Sequence, residues 1–322
     1  MKPKALFVML ILWLSFTTIQ ARSTEDVPDK GTYAKFLLVG CYMKPDEEGV
    51  RMYRFDGQTA DVDYPCGLRG ISNPAFLTSD STGNRIYAIG DDEGKSSTAN
   101  ALLFDKESGL LSLLNSQSTD GELPIYITLS PKEYFVLTAN YKGGSITVFS
   151  QDKKGKLQRD TKIIRFAGNG PNKKRQEQSH LHCVTFTPDG KFLLATDLGT
   201  DCIYLFPIGK RPEAGKAHSL LDESRVVRIQ MDSGSGPRHI CFHPNGRFAY
   251  LISELSGKIT VFSYNEGKLE RLQTIVCDPF VAEGNADIHV SSDGKFLYAS
   301  KHLKEDGIIV YSCLLYTSDA AD

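Results

Sequence analysis

From Phe36 onward the chain is written in short apolar or alternating runs separated by turns rich in Gly, Pro, Asp and Asn. Alternation of apolar and polar residues with a period of two marks a half-buried strand, whereas a surface helix repeats its apolar face every three to four residues. Phe36-Leu-Leu-Val-Gly-Cys-Tyr42 and Gly49-Val-Arg-Met-Tyr-Arg-Phe-Asp56 are the first two predicted strands. A frame then recurs: an apolar stretch, a turn, an apolar-aromatic strand, a polar loop and a further strand ending near Val-Phe. Pro74–Gly83 leads to Arg85–Ile89 and Ala101–Asp105, and Pro124–Pro131 leads to Tyr134–Asn140 and Ser145–Phe149. His182–Gly190 leads to Phe192–Thr196 and Cys202–Phe206, and Gly236–Gly246 leads to Arg247–Ile252 and a strand ending at Val261-Phe262. Ile288–Gly294 leads to Phe296–Ser300 and Ile308–Tyr311.

The turn positions Ser130, Thr187, His243 and Ser291 lie 57, 56 and 48 residues apart. A repeat of this length, with about four short strands and a tight turn in each unit, is the signature of a β-propeller blade. Glycine supplies the positive φ that such turns require. A two-sheet sandwich also has short strands, but it has no reason to repeat at this length. The fold class expected is therefore all-β, a propeller over residues 36–312. Residues 165–179 form a polar insertion ahead of His180-Leu-His182, longer than most connections in a compact domain and so a candidate functional loop. After Ser312 the frame dissolves, and residues 313–322 are expected to be a tail foreign to the fold, with the last unit incomplete.

The N-terminus reads differently. Lys2 and Lys4 precede the apolar run Ala5–Phe16, with Ala21 a small residue at a possible cleavage point. This is the layout of a secretory signal over residues 1–21, too short to span a bilayer comfortably. Residues 22–35 are then a flexible leader, and the mature protein is expected to be exported, periplasmic or extracellular, with no membrane segment, and monomeric. Seven cysteines include Cys183, Cys202 and Cys241 inside predicted strands, where a thiol usually serves as a small apolar core group. A net charge of −2 leaves no basic field for nucleic acid. The cluster Lys173-Lys174-Arg175 reads as a solvated loop.

The chemistry-bearing residues gather at loop ends: His180 and His182, Asp197-Leu-Gly199, Gly236-Pro-Arg-His239, Glu254, and Ala286-Asp-Ile-His289. With these in hand the sequence resembles the seven-bladed propeller lactonases, which include propeller-type 6-phosphogluconolactonases and 3-carboxymuconate lactonizing enzymes. The resemblance covers residues 33–312. It implies functional positions at His182, Arg238 and Glu254, and a small-molecule lactone as substrate. It also implies an arginine after the Tyr-Ala-Ser strand, where this chain has Lys301-His302. Lysine keeps the charge there but lacks the planar fork of a guanidinium.

Lactone hydrolysis needs an activated water, charge stabilisation at the carbonyl oxygen and a proton for the leaving alkoxide. Arg238 suits the second task, or holds an anionic group of the substrate. His182 suits proton transfer near neutral pH. Glu254 is either a general base or the partner that orients Arg238. His180 shares the parity of His182 and is a substrate-binding candidate, with Asp197 (a loop cap or part of the channel lining), His239, His289, Lys301 and His302. Strict alternation sends His239 to the face opposite Arg238. No cofactor and no metal are expected, since His180-x-His182 lacks a third ligand. The alternatives are a carboxymuconate-type lactonizing lyase and a non-catalytic propeller that presents a binding surface.

Overall fold

The computed structural model describes residues 34–210, 212–277, 284–302 and 306–313. The readings of residues 1–21 and 22–33, and of the tail beyond Cys313, fall outside these residues. The described chain is all-β, with two single-turn 3-10 segments at Ala217–Ser219 and Glu223–Arg225. Its strands run as six antiparallel meanders. β1 (Ala34–Gly40), β2 (Val50–Asp56) and β3 (Val62–Leu68) form the first. β4 (Leu77–Ser79), β5 (Arg85–Asp91), β6 (Ser97–Asp105) and β7 (Leu110–Ser118) form the second. β8 (Pro124–Leu129), β9 (Phe135–Asn140), β10 (Ser145–Gln151) and β11 (Leu157–Arg165) form the third. β12 (Leu181–Phe186), β13 (Phe192–Asp197), β14 (Cys202–Pro207) and β15 (Val227–Gln230) form the fourth. β16 (Pro237–Phe242), β17 (Phe248–Ser253), β18 (Lys258–Asn265) and β19 (Lys268–Val276) form the fifth. β20 (Asn285–Val290), β21 (Phe296–Lys301) and β22 (Gly307–Ser312) form the sixth. Sequential four-stranded meanders at this spacing are the blades of a β-propeller.

The chain divides into two compact units, one of residues through 118 with 153–157, the other of residues 119–152 and 158 onward. The smaller unit packs Leu38, Val50, Met52, Leu77, Ile86, Leu102 and Phe104 into one core. Described apolar clusters of the larger unit are centred on Phe135, Leu137 and Phe206, on Leu194, Leu205 and Leu251, and on Ile252, Ile288 and Leu297. Every residue of β9 and β10 is buried, so the middle of that sheet carries apolar or internally bonded side chains on both faces.

The turns repeat as the sequence pattern requires. Ser130, Thr187, His243 and Ser291 each donate a backbone N–H to the carbonyl of the residue five positions on, at 2.9, 3.0, 2.9 and 2.8 Å. In three of the four a hydroxyl caps the turn: Ser130, Thr187 and Ser291 accept from the N–H of Phe135, Phe192 and Phe296. Gly190, Gly246 and Gly294 take φ of 66°, 71° and 75°, and Glu133 holds the corresponding place at 56°.

One expectation is corrected. Propellers commonly close by pairing an N-terminal strand with the final blade, so Phe36–Tyr42 is expected beside strands of the last unit and apart from the 74–105 unit; the second half holds and the first does not. Instead β1 pairs along its whole length with β2, from Ala34↔Asp56 to Gly40↔Val50, and opens a sheet of its own. The hairpin partner is nearby in sequence, and a short loop costs little closure entropy.

The feature that positions the site is a bulge at the start of the first strand of four sheets. The pairing register slips between Pro124 and Tyr126, Leu181 and Cys183, Pro237 and His239, and Asn285 and Ile288. A bulge interrupts the ladder and re-aims the side chain at the extra residue. Two of the residues so placed are His182 and Arg238.

Candidate active site

Glu254 is the residue on which the site converges. It follows β17 directly, and its N–H is fixed to Gly236 O at 2.8 Å. The carboxylate is almost wholly buried, with its side chain 4% exposed. Its Oε2 accepts from Nη1 of Arg238, and its Oε1 accepts from Nη2 of Arg175 at 2.5 Å. Nε2 of His182 stands 3.7 Å from Oε2. Burial pushes the Glu254 carboxyl up, but Arg238 and Arg175 together outweigh it and hold the group below its ordinary range.

Each neighbour is held in turn. Arg238 donates Nε–H to Ala286 O at 2.8 Å, and its side chain is 12% exposed. Arg175 reaches the Tyr141 hydroxyl at 3.4 Å. The His182 ring lies edge-on to Tyr141 and to His239, with centroids 5.6 and 5.0 Å apart. Nδ1 of His182 is buried with no hydrogen-bond partner among the described residues. Burial, with Arg238 and His239 adding to it, drives the His182 pKa well below its usual value, so the ring is neutral near pH 7.

A second array adjoins it. His239 Nδ1 lies 2.7 Å from Asp287 Oδ1, and His289 Nε2 lies 3.0 Å from Asp287 Oδ2. A carboxylate only accepts, so both imidazoles donate N–H to it. Burial holds His239 below its ordinary value despite Asp287. The contact of His239 with His182 corrects the expectation from strict alternation: the bulge at Arg238 breaks the parity, and both residues border His182.

The remaining candidates separate. His180 stacks on Tyr141 at 4.3 Å, donates Nδ1–H to Tyr141 O at 3.1 Å, and has Nε2 3.2 Å from Glu177. It backs the site instead of sharing the orientation of His182. Asp197 is fully buried and spends both oxygens on the chain. Oδ1 accepts from the N–H of His180, Gly199 and Thr200, and Oδ2 from the hydroxyls of Ser179 and Thr200, at 2.7 to 3.3 Å. Of the two roles open to Asp197, loop cap or channel lining, five donors and the lack of exposed surface fit the loop cap. Lys301 is buried at the end of β21, in register with Asn285. Half-buried His302 is pushed down by burial and then by Arg238, with Glu254 opposing. His289 is exposed and bonds to Asp287, which it shares with His239.

Sequence reasoning named neither Arg175 nor Tyr141 as a site residue, and quoted Asp287 only as part of the Ala286–His289 motif. Arg175 was assigned to a solvated loop, and that is corrected by its ion pair with Glu254. The signal that pointed to it was the length of the 165–179 insertion. No disulfide joins the cysteines among the described residues, and Cys41, Cys183 and Cys202 are buried. No group of three or more His, Cys, Asp or Glu among the described residues is arranged to hold a metal ion.

Arg175, Arg238, Glu254 and neutral His182 leave one positive charge in excess in a largely buried cluster. Such an arrangement suits a carbonyl oxygen gaining charge beside a proton-transfer group, on the blade-by-blade scaffold of a β-propeller hydrolase. Comparison with known proteins agrees in class. Residues 36–318 match the family described as "Lactonase, 7-bladed beta-propeller", and the chain belongs to that family. It is 33% identical over 291 residues to the 6-phosphogluconolactonase of Bacillus subtilis (strain 168), spanning 88% of this chain and 79% of that protein. A crystal structure from Bacteroides fragilis NCTC 9343 superposes with a TM-score of 0.82 at 39% identity, covering 89% of this chain and 80% of the other. The periplasmic gluconolactonase of Pseudomonas aeruginosa gives 0.77 at 29% identity, covering 87% and 78%.

Proposed function

We propose that the protein hydrolyses a sugar lactone to the open-chain aldonic acid, with 6-phosphogluconolactone as the reference substrate. The observation that carries this reading is the convergence of Arg238 and His182 on buried Glu254, in a chain of the lactonase family. The reaction adds water to the lactone carbonyl, passes through a tetrahedral oxyanion, and breaks the ring C–O bond with a proton delivered to the departing alkoxide. Arg238 is fixed by Ala286 O and Glu254, and so meets developing negative charge without reorganising. His182 is neutral, so it can take the proton of the attacking water and return it to the alkoxide. Both Glu254 oxygens are already engaged by guanidiniums, which favours an orienting role over that of general base.

Arg238→Ala tests the assignment. A fall in turnover of about 100-fold or more is expected, as on loss of a transition-state charge partner, with the fold retained. Full activity of this variant would sink it. Glu254→Gln separates the roles of that residue: a partial loss with the acid limb of the kcat/KM profile removed supports orientation, and a loss to near background supports base chemistry.

A second reading concerns the substrate. The Lys2-to-Ala21 segment has the layout of an export signal, and a structural neighbour is a periplasmic gluconolactonase. Phosphorylated sugars belong to the cytosol, so export would favour an unphosphorylated aldonolactone. Parallel kcat/KM values for 6-phosphoglucono- and gluconolactone decide between them, and fractionation of cells expressing the full chain decides location. The family is described as seven-bladed, and we place its remaining strands outside the six sheets of the described residues. Exposed Ile308 and Val310 on β22 favour that placement.

A further inference from the structure

We infer that Arg175 is a positioning residue: the polar loop between β11 and β12 delivers it as a second guanidinium onto Glu254, and so sets how Glu254 presents Arg238. This inference rests on the lactonase reading and concerns the same site.

The loop is built for such delivery. Gln176, next to Arg175, is completely buried although it lies in an otherwise polar, Lys-rich segment. Its Nε2 donates to Leu198 O at 2.9 Å and to Asp201 Oδ1 at 2.8 Å, while its Oε1 accepts from Asn172 N at 3.1 Å. The backbone closes on itself through Gln176 N to Asn172 O at 2.7 Å and Gly170 N to Gln176 O at 2.9 Å. Burying an amide with its donors and acceptor satisfied fixes a loop more firmly than solvated lysines can.

The anchor is shared with the opposite guanidinium. Asp201, also buried, accepts from Gly236 N at 2.8 Å and Gly234 N at 2.7 Å. Gly236 lies two residues before Arg238, and its carbonyl receives the Glu254 N–H. One buried carboxylate therefore registers the loop carrying Arg175 against the strand carrying Arg238 and the backbone carrying Glu254. A solvated surface arginine would need none of this. The Arg175 side chain keeps 39% of its surface exposed, so one edge is bound to Glu254 and the remainder faces outward.

The groups facing Glu254 are Arg175 from the loop, Tyr141 after β9, Arg238 from β16, His182 from β12, and His302 after β21. Among them only the two arginines are obligate cations. Removing one halves the charge that keeps Glu254 ionised inside the protein.

The test uses the full chain with Arg175→Ala, Arg175→Lys and Gln176→Ala. For Arg175→Ala the acid limb of the kcat/KM profile should move up by about one pH unit, the size of shift that a lost adjacent opposite charge brings. Arg175→Lys should restore most of that limb. Gln176→Ala does not touch Glu254 and should move the limb in the same direction by less. A purely structural loop would lower thermal stability in all three and leave the limb in place, which would overturn the inference. If Arg175→Ala does not fold, the lysine and Gln176 variants still decide. A second arm needs no lactone: the Glu254 carboxyl resonance in 13C-glutamate-labelled protein, assigned by its loss in Glu254→Gln, should titrate higher in Arg175→Ala. An unchanged titration overturns the inference, whereas absence of lactonase activity in the wild type overturns only the functional reading.

Discussion

Asp197 gives a direct test of whether a carboxylate beside the site serves chemistry or architecture. Its five donors are three backbone N–H groups, from His180, Gly199 and Thr200, and two hydroxyls, from Ser179 and Thr200. The hydroxyls can rotate to other acceptors, but the N–H groups are fixed by the backbone. In Asp197→Ala those three lose their acceptor in a fully buried place. Each orphaned buried donor costs about 1–3 kcal/mol, and one admitted water recovers part of the total. A net loss of about 3–5 kcal/mol follows, near the upper end of single-residue effects. Asp197→Asn keeps one oxygen for the N–H groups and turns its amide toward the hydroxyls, which can accept, so its loss should be about 1 kcal/mol. Urea unfolding followed by far-UV circular dichroism measures both, since the single tryptophan, Trp13, lies outside the described residues. The lactone KM of Asp197→Asn should stay within about twofold, a factor worth under half a kcal/mol. An Ala variant as stable as the wild type would refute the reasoning. So would an Asn variant of unchanged stability whose KM rises tenfold.

Two further outcomes concern the repeat and the pH response. Glu133→Gly should stabilise by about 1 kcal/mol, because Glu133 holds a left-handed turn position, φ 56°, that glycine fills in sister turns; equal or lower urea midpoints would count against it. Acid should destabilise in two stages. His182 and His239 have folded pKa values below the ordinary 6.5, so the unfolded chain binds protons first and stability falls as pH drops through that value. Glu254 is lowered from 4.5, so its contribution is complete above that pH and lost as pH falls through the lowered folded value. His182→Gln should flatten the upper stage and Glu254→Gln the lower, read from urea midpoints between pH 7 and 3.

The parts of the molecule legible in the sequence are those governed by local chemistry. Thr187-Pro-Asp-Gly190 and Ser291-Ser-Asp-Gly294 specify their turns within a few residues, and the strands they join follow from alternation. The convergence of His182, Arg238 and Glu254 was legible through resemblance. What stayed hidden depends on register or on distance along the chain. Arg175 meets a partner 79 residues away, and no local pattern announces the meeting. The face of His239 was misjudged because a bulge, invisible to alternation, intervenes at Arg238.

The case of Asp197 shows how one residue of register separates scaffold from site. From the sequence, Asp197 of Asp-Leu-Gly199 is expected at the place of Glu254 in the preceding unit. The backbone places Leu198 there instead, since Tyr141, Leu198, Glu254 and His302 each donate N–H to the carbonyl at the start of their sheet, at Leu123, His180, Gly236 and Gly284. Asp197 belongs to the preceding ring of positions, with Asn140, Ser253 and Lys301, and in a strand that single step turns a side chain to the other face. The same holds for the bulges: equivalent openings carry Ile125, His182, Arg238 and the Ala286–Asp287 pair. The repeat thus supplies two sets of equivalent positions, and chemistry arises where they are filled differently: a histidine and an arginine at the bulges, a glutamate and a tyrosine at the strand ends. A loop is then needed for the one charge that neither set provides, and that charge is Arg175.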